Sequence, residues 1–262
     1  MCLFPHTMLP YIRSMEVFFD LSLSKSWADL SDPQLLFFFR HLATDKPMAE
    51  IQALCLCQWA NVLVRCHLYG SVYLVQHAKQ QATLTLRQFV CAITALDFLK
   101  SFPPYPVRIR SIGKAVAIAA DFQGVPFSTF IATDNYYQGF LHTHNTDLLK
   151  DAATLLYPKV KRNALTTAHC LSIFYWLASL KQYLARLFPH FLTPCAQAPQ
   201  NLLGDTQSIA DKVRHAMNAQ IRALTGGDIT KEQAVLAMDT WRALTELDAK
   251  AKEAEEIRKT YH

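Results

Sequence analysis

The stretch from Thr167 to Phe188 constrains the fold most. Ile173, Trp176, Leu177, Leu180, Leu184, Leu187 and Phe188 recur every three or four residues, while Lys181 and Arg186 fall off that line. Residues so spaced share one side of an α-helix, so the segment predicts a long helix with a broad apolar face at the centre of the molecule. Such a face must be covered, and the chain has the means: 262 residues, 51% hydrophobic and 11% aromatic against 18% charged. Burial on that scale offsets the entropy of ordering and predicts one or two folded domains. The longest near-apolar run, Leu171 to Leu180, is bounded by His169 and Lys181 and is about half the ~20 residues that a spanning helix requires. No membrane span is expected.

Helix and strand signals fill in the rest. Ser31-Asp32-Pro33-Gln34 has capping-box spacing and predicts a helix from about Asp32 to Ala43. Lys46-Pro47 opens another, Met48 to Trp59, whose Ile51, Leu54 and Cys55 are expected to pack on the first. Val62 to His67, Ser71 to Gln76 and Ala82 to Thr85 are short β-rich runs separated by turn residues, which predicts an antiparallel meander. Thr85 then caps a helix expected to reach Leu99, with Phe89, Val90, Ile93 and Leu96 at helical spacing. Prolines at 103, 104 and 106 mark a linker. Beyond it, Pro126 starts a helix over 126–141, and Asn145 caps one that ends before Pro158.

Pro189, Pro194 and Pro199 mark a second linker, after which the composition turns to Ala, Glu, Lys and Gln. A helix to about Leu224 is expected there, then the Thr225-Gly226-Gly227-Asp228 turn, then a long helix from Lys231 with Thr230 and Gln233 as its capping box. Its early part carries an apolar stripe, Val235, Met238 and Trp241, and it becomes a charged rod by Lys250 to Lys259. The expected fold is mostly α (α+β): a multi-helix core, a small antiparallel meander near 62–85 and a C-terminal helical pair. The expected divisions are a mixed α/β lobe over 15–100, a helical core over 107–193 and a helical arm over 206–262. Residues 1–14 read as disordered, or as a start codon placed too early, because Met15 opens into a strand-like run over Val17 to Leu23.

Side chains with chemical potential are few. His142-Thr143-His144 with Asp147 suggests a metal chelate, but the triplet falls at a junction between helices where i and i+2 diverge, so no metal site is assigned. Cys55-Leu56-Cys57 has one spacer and sits mid-helix, which fits neither a zinc knuckle nor a redox pair. Cys170 beside His169 is not taken as a nucleophile, since adjacent helical residues face different ways. The seven cysteines are scattered through apolar stretches and read as free thiols of a reducing compartment. With seven glycines and no Gly-Lys-Ser/Thr after the Gly226-Gly227 pair, a nucleotide-hydrolysing loop is unsupported. Arg108 and Arg110 share a face if Val107 to Ile109 is extended. With Lys159, Lys161 and Arg162 near Tyr157, they form a basic set suited to phosphates, with the tyrosine as a stacking surface. The net charge of +5 is modest for such a role.

Four segments together, Ser26-Trp27-Ala28-Asp29-Leu30, Thr133 to Gly139, Phe174 to Lys181 and Ile229 to Glu256, carry a resemblance to a group of proteins from prophages of Bacteroidales-type bacteria. The resemblance spans most of residues 15–262, and its motifs are core and cap patterns, so no functional residue is carried over. It implies a non-enzymatic tailed-phage structural or assembly protein in the host cytoplasm or the virion, without a cofactor. Its partners would be other phage proteins or a second copy; the residues themselves point to the helical region 206–262, with its apolar stripe Val235, Met238 and Trp241, as the surface that meets them. The alternative expectation is a nucleic-acid-binding module using Arg108, Arg110, Lys159, Lys161 and Arg162.

Overall fold

The computed structural model describes residues 24–77, 80–192 and 209–260. The expected strand over Val17 to Leu23, the first fourteen residues and the linker around Pro194 and Pro199 lie outside them. The fold is mostly helical with a small antiparallel three-stranded sheet, as the periodicities predict. Among the described residues no helix is long and apolar enough to cross a membrane.

The described residues divide into two compact units, those within Met1–Leu30 and Asp45–Ser101, and those within Ser31–Thr44 and Phe102–His262. The first holds α2 (Met48–Trp59), β1 (Val62–Tyr69), β2 (Val72–His77), β3 (Gln80–Thr85) and α3 (Leu86–Thr94). The sheet order is β1-β2-β3. A two-residue turn, Gly70-Ser71, joins β1 to β2 with Gly70 at φ +52°, a conformation that glycine adopts without steric cost. Val62, Val75 and Ala82 bury one face of the meander. The Thr85–Gln88 capping box forms at the start of α3, with the Thr85 N–H donating to Gln88 Oε1 at 2.9 Å.

One expectation fails in this unit. The helix from Leu86 stops at Thr94, and a 3-10 turn, Asp97–Lys100, follows. The buried Gln52 amide donates to Leu96 O (2.9 Å), which holds the tightened turn while Leu96 and Leu99 go to the interior. α2 belongs with the meander, whereas α1 (Asp32–Leu42) belongs to the second unit. Within that unit α1 packs on α6 (Thr167–Leu187).

The second unit is built on α6, as its stripe predicts. Ile173, Trp176, Leu177, Leu180 and Leu184 are buried, and the Trp176 indole N–H donates to Ala120 O at 2.7 Å. Phe38 and Phe39 of α1 meet Tyr175 edge-on. α4 (Phe127–Thr143) and α5 (Thr146–Leu156) form an antiparallel pair. His144 turns left-handed at φ +54° to end α4, and Asn145 Oδ1 accepts the Asp147 N–H (3.0 Å) to start α5. Gly139 lets the pair close, since a Cβ there would lie 3.0 Å from Leu148 Cδ1. The short β4 (Ser111–Ile112) and β5 (Ala115–Val116) make a hairpin.

The C-terminal region is no free arm. After α7 (Pro189–Leu192), it contributes α8 (Ile209–Thr225), α9 (Glu232–Ala237) and α10 (Thr240–Thr260), and Ile221, Val235, Ala243, Leu244 and Leu247 join the same core as Trp176. The expected helix from Lys231 breaks at Met238 because the chain is pinned there to 124–127. Met238 O accepts the Phe127 N–H (2.8 Å), and Asp239 Oδ2 accepts that of Gly124 (2.6 Å). Asp239 Oδ1 then caps α10 by accepting the Arg242 N–H at 3.1 Å. The expected Thr230–Gln233 capping box is replaced by Asp228, whose Oδ1 accepts from the Thr230 N–H (3.0 Å) and hydroxyl (2.6 Å).

Candidate functional site

Two tight turns in the second unit each present a lysine. Gly113-Lys114 links β4 to β5, with Gly113 at φ +60°. This is the two-residue hairpin geometry with glycine at the first central position, and it places Lys114 at the exposed tip. The second turn follows α5, where the Val160 N–H donates to Tyr157 O (3.0 Å) across Pro158-Lys159 and Lys159 sits at φ +73°. Proline and then a positive φ define a type II turn, whose third position glycine fills most readily. A lysine there is held in a conformation that costs an L-residue about 1 kcal/mol or more.

Tyr157 ties the two turns together. Its ring is buried, and its hydroxyl donates to Ile109 O at 2.7 Å, fixing the strand-like approach to the hairpin beside the second turn. Burial pushes the phenol well above its ordinary value, so it remains a donor. Asp32, in the first turn of α1, accepts the Arg110 backbone N–H (2.9 Å) and closes a third side.

The fourth side is the first turn of α6. Thr166 and His169 make a reciprocal cap: the Thr166 N–H donates to His169 Nδ1 at 3.1 Å and the His169 N–H to Thr166 Oγ1 at 3.4 Å. Because Nδ1 accepts, the proton of the neutral ring lies on Nε2. Burial lowers the His169 pKa, and the Arg40 charge adds to the effect.

These pieces enclose an open groove of about 740 Å³, within the size range of small-ligand clefts. Leu36, Ile109, Ile112 and Val160 give it an aliphatic floor, Lys114, Lys159 and Lys161 stand along it, and His169 lines the α6 side. Asp32 is the one carboxylate among the described residues that line it. The first turn of α6 carries no acidic residue, so the partial positive charge of that helix end adds to the lysines. The potential in the groove therefore favours an anion.

The basic residues singled out in the sequence separate into different roles. Lys159 and Lys161 reach the groove. Arg108 donates through Nε to Ile118 O (2.8 Å), with its guanidinium 5.8 Å from the Trp176 ring centre, so it buttresses the core. Arg162 pairs with Asp151 (2.8 Å) and Asp147 (3.5 Å) of α5. Arg110 is exposed but does not line the groove. Tyr157 is buried and cannot serve as the expected stacking surface.

Val235 is buried, Met238 and Trp241 pack partly buried on the core, and the Trp241 indole N–H donates to Asp121 O (2.8 Å). The stripe is thus spent inside the molecule, because the break at Met238 turns α9 and the start of α10 onto α4 and its approach. His142 and His144 are exposed at the end of α4, and Asp147 pairs with Lys150 at 2.9 Å. Among the described residues no group of three or more histidines, cysteines, aspartates or glutamates could hold a metal ion. The five described cysteines are free. Burial pushes the Cys55 thiol up to about 12 and raises those of Cys57 and Cys170.

The sequence reading missed Lys114, Asp32 and His169 as groove residues. A signal existed for the first, a Gly-Lys pair between Ile112 and Ala115, and another for the last, a hydrogen-bonding side chain three residues after Thr166. Comparison with protein-family models, curated proteins and solved structures finds no match for this chain.

Proposed function

We propose that the protein is a nucleic-acid-binding module that holds backbone phosphates on Lys114, Lys159 and Lys161. One observation carries this reading: lysines from two separate turns meet along a single groove that also receives the unacidified end of α6. Charge is concentrated there although the net charge is modest. No bond-making role is assigned to the groove. The test is fluorescence anisotropy of labelled oligonucleotides over a salt series. With three lysines each displacing counterions, log K should fall against log salt with a slope of about −2 to −3. The triple variant Lys114→Gln, Lys159→Gln, Lys161→Gln should flatten that slope. A slope unchanged in the triple variant would refute the assignment.

A second reading, phage assembly through protein contacts, finds its support in the outer half of α10. Glu255 still pairs with His190 of α7 (3.1 Å), and beyond it the last turn leaves Ile257 59% exposed. We propose this end, and not the Val235, Met238, Trp241 stripe, as the surface such contacts would use. Removing residues 257–262 should abolish co-purification with other virion proteins while leaving the thermal transition in place. Undiminished co-purification would reject it.

A further inference from the structure

We infer that the groove selects single-stranded over duplex nucleic acid by seating one unpaired base on its aliphatic floor, an inference that rests on the phosphate-binding reading above. Three features point this way. The lysines stand along a concave site of about 740 Å³ whose floor, Leu36, Ile109, Ile112 and Val160, is apolar. A duplex presents a convex ridge of phosphates and keeps its base faces stacked, so it meets the lysines and leaves that floor wet. An unpaired nucleotide offers both parts together, phosphates for the cations and a flat, weakly hydrated ring for the floor.

Asp32 supplies the third feature. A carboxylate among three lysines opposes a phosphate at its own position, yet it suits the exocyclic amine of a base edge. Its Oδ2 accepts one hydrogen bond, from the Arg110 N–H at 2.9 Å. A carboxylate has further acceptor sites, so it can take a second donor without releasing Arg110. Cations, floor and acceptor thus divide one groove into a backbone side and a base side.

The test compares a short fluorescein-labelled oligodeoxynucleotide, alone and annealed to its complement, by anisotropy with the full chain from about 50 to 200 mM salt. The single strand should bind about tenfold more tightly than the duplex, a ratio that needs no variant to read. Leu36→Ala, which shortens the floor at a half-buried position, should cut that ratio to about threefold or less and leave the salt slope in place. Lys159→Gln should lower the single-strand slope by about 0.7 and preserve the ratio. Equal affinity for both forms overturns this inference while leaving the phosphate reading standing. Failure of both to bind at the lowest salt overturns the two together.

Discussion

Lys159 occupies a backbone position that suits a residue without a side chain, at φ +73°. Lys159→Gly should therefore raise stability by up to about 1 kcal/mol, while weakening oligonucleotide binding. Urea denaturation and anisotropy on the same variant would show the two effects with opposite signs, and a loss of stability would contradict the strain. Two buried threonines make a second contrast. Thr240 Oγ1 donates to Val125 O at 2.7 Å, whereas Thr133 Oγ1 has no partner among the described residues. Thr240→Val should cost about 0.5–1.5 kcal/mol, the worth of one buried hydrogen bond, since Val125 O keeps the Thr240 backbone N–H at 2.9 Å. Thr133→Val should be neutral or slightly stabilising. Equal losses in urea unfolding would show that both hydroxyls are satisfied. Neither position stands out in the sequence, since both sit in unremarkable helical contexts.

At the scale of elements, the α6 cap makes stability depend on pH. His169 is held below its ordinary value of 6.5, so below about pH 6.5 the unfolded chain binds more protons than the folded one. The contribution of the neutral ring is complete above that value and is lost as the pH falls toward the folded pKa. A protonated ring has no lone pair on Nδ1 to accept the Thr166 N–H. The urea midpoint should thus drop between pH 7.5 and 5.5, and His169→Gln, which keeps an acceptor at that position, should reduce the drop. Identical pH profiles for the two proteins would rule the cap out as the cause. Elements set by local signals were legible in the sequence: the α6 stripe, the Ser31 and Thr85 boxes, the meander around Gly70, the Asn145 cap. The misjudged ones, the end of α3 and the break at Met238, are fixed by partners far along the chain. Gln52 reaches Leu96, and residues 124–127 hold Met238 and Asp239. No window of sequence contains both sides of those contacts.

For the whole molecule, the C-terminal region is part of a core, so removing 209–262 should strip cover from α4 and α6. The shortened chain should lose cooperative thermal unfolding and bind a hydrophobic dye; a sharp transition near that of the full chain would show the opposite. The site was legible only in part, for the same reason as the fold. Lys159 and Lys161 announce themselves as a cluster, but Lys114 joins them through contacts distant in sequence, Tyr157 to Ile109 and Arg110 to Asp32 among them. The membership of α1 in the second unit bears on how the chain is made. Leu35, Phe38 and Phe39 leave the ribosome about 125 residues before the helix they pack on, a wait of about 6–25 s at ordinary rates of translation. Through that interval a greasy surface stands bare in a nascent polypeptide, inviting chaperone capture and making slow or stalled synthesis a hazard to the yield of active molecules.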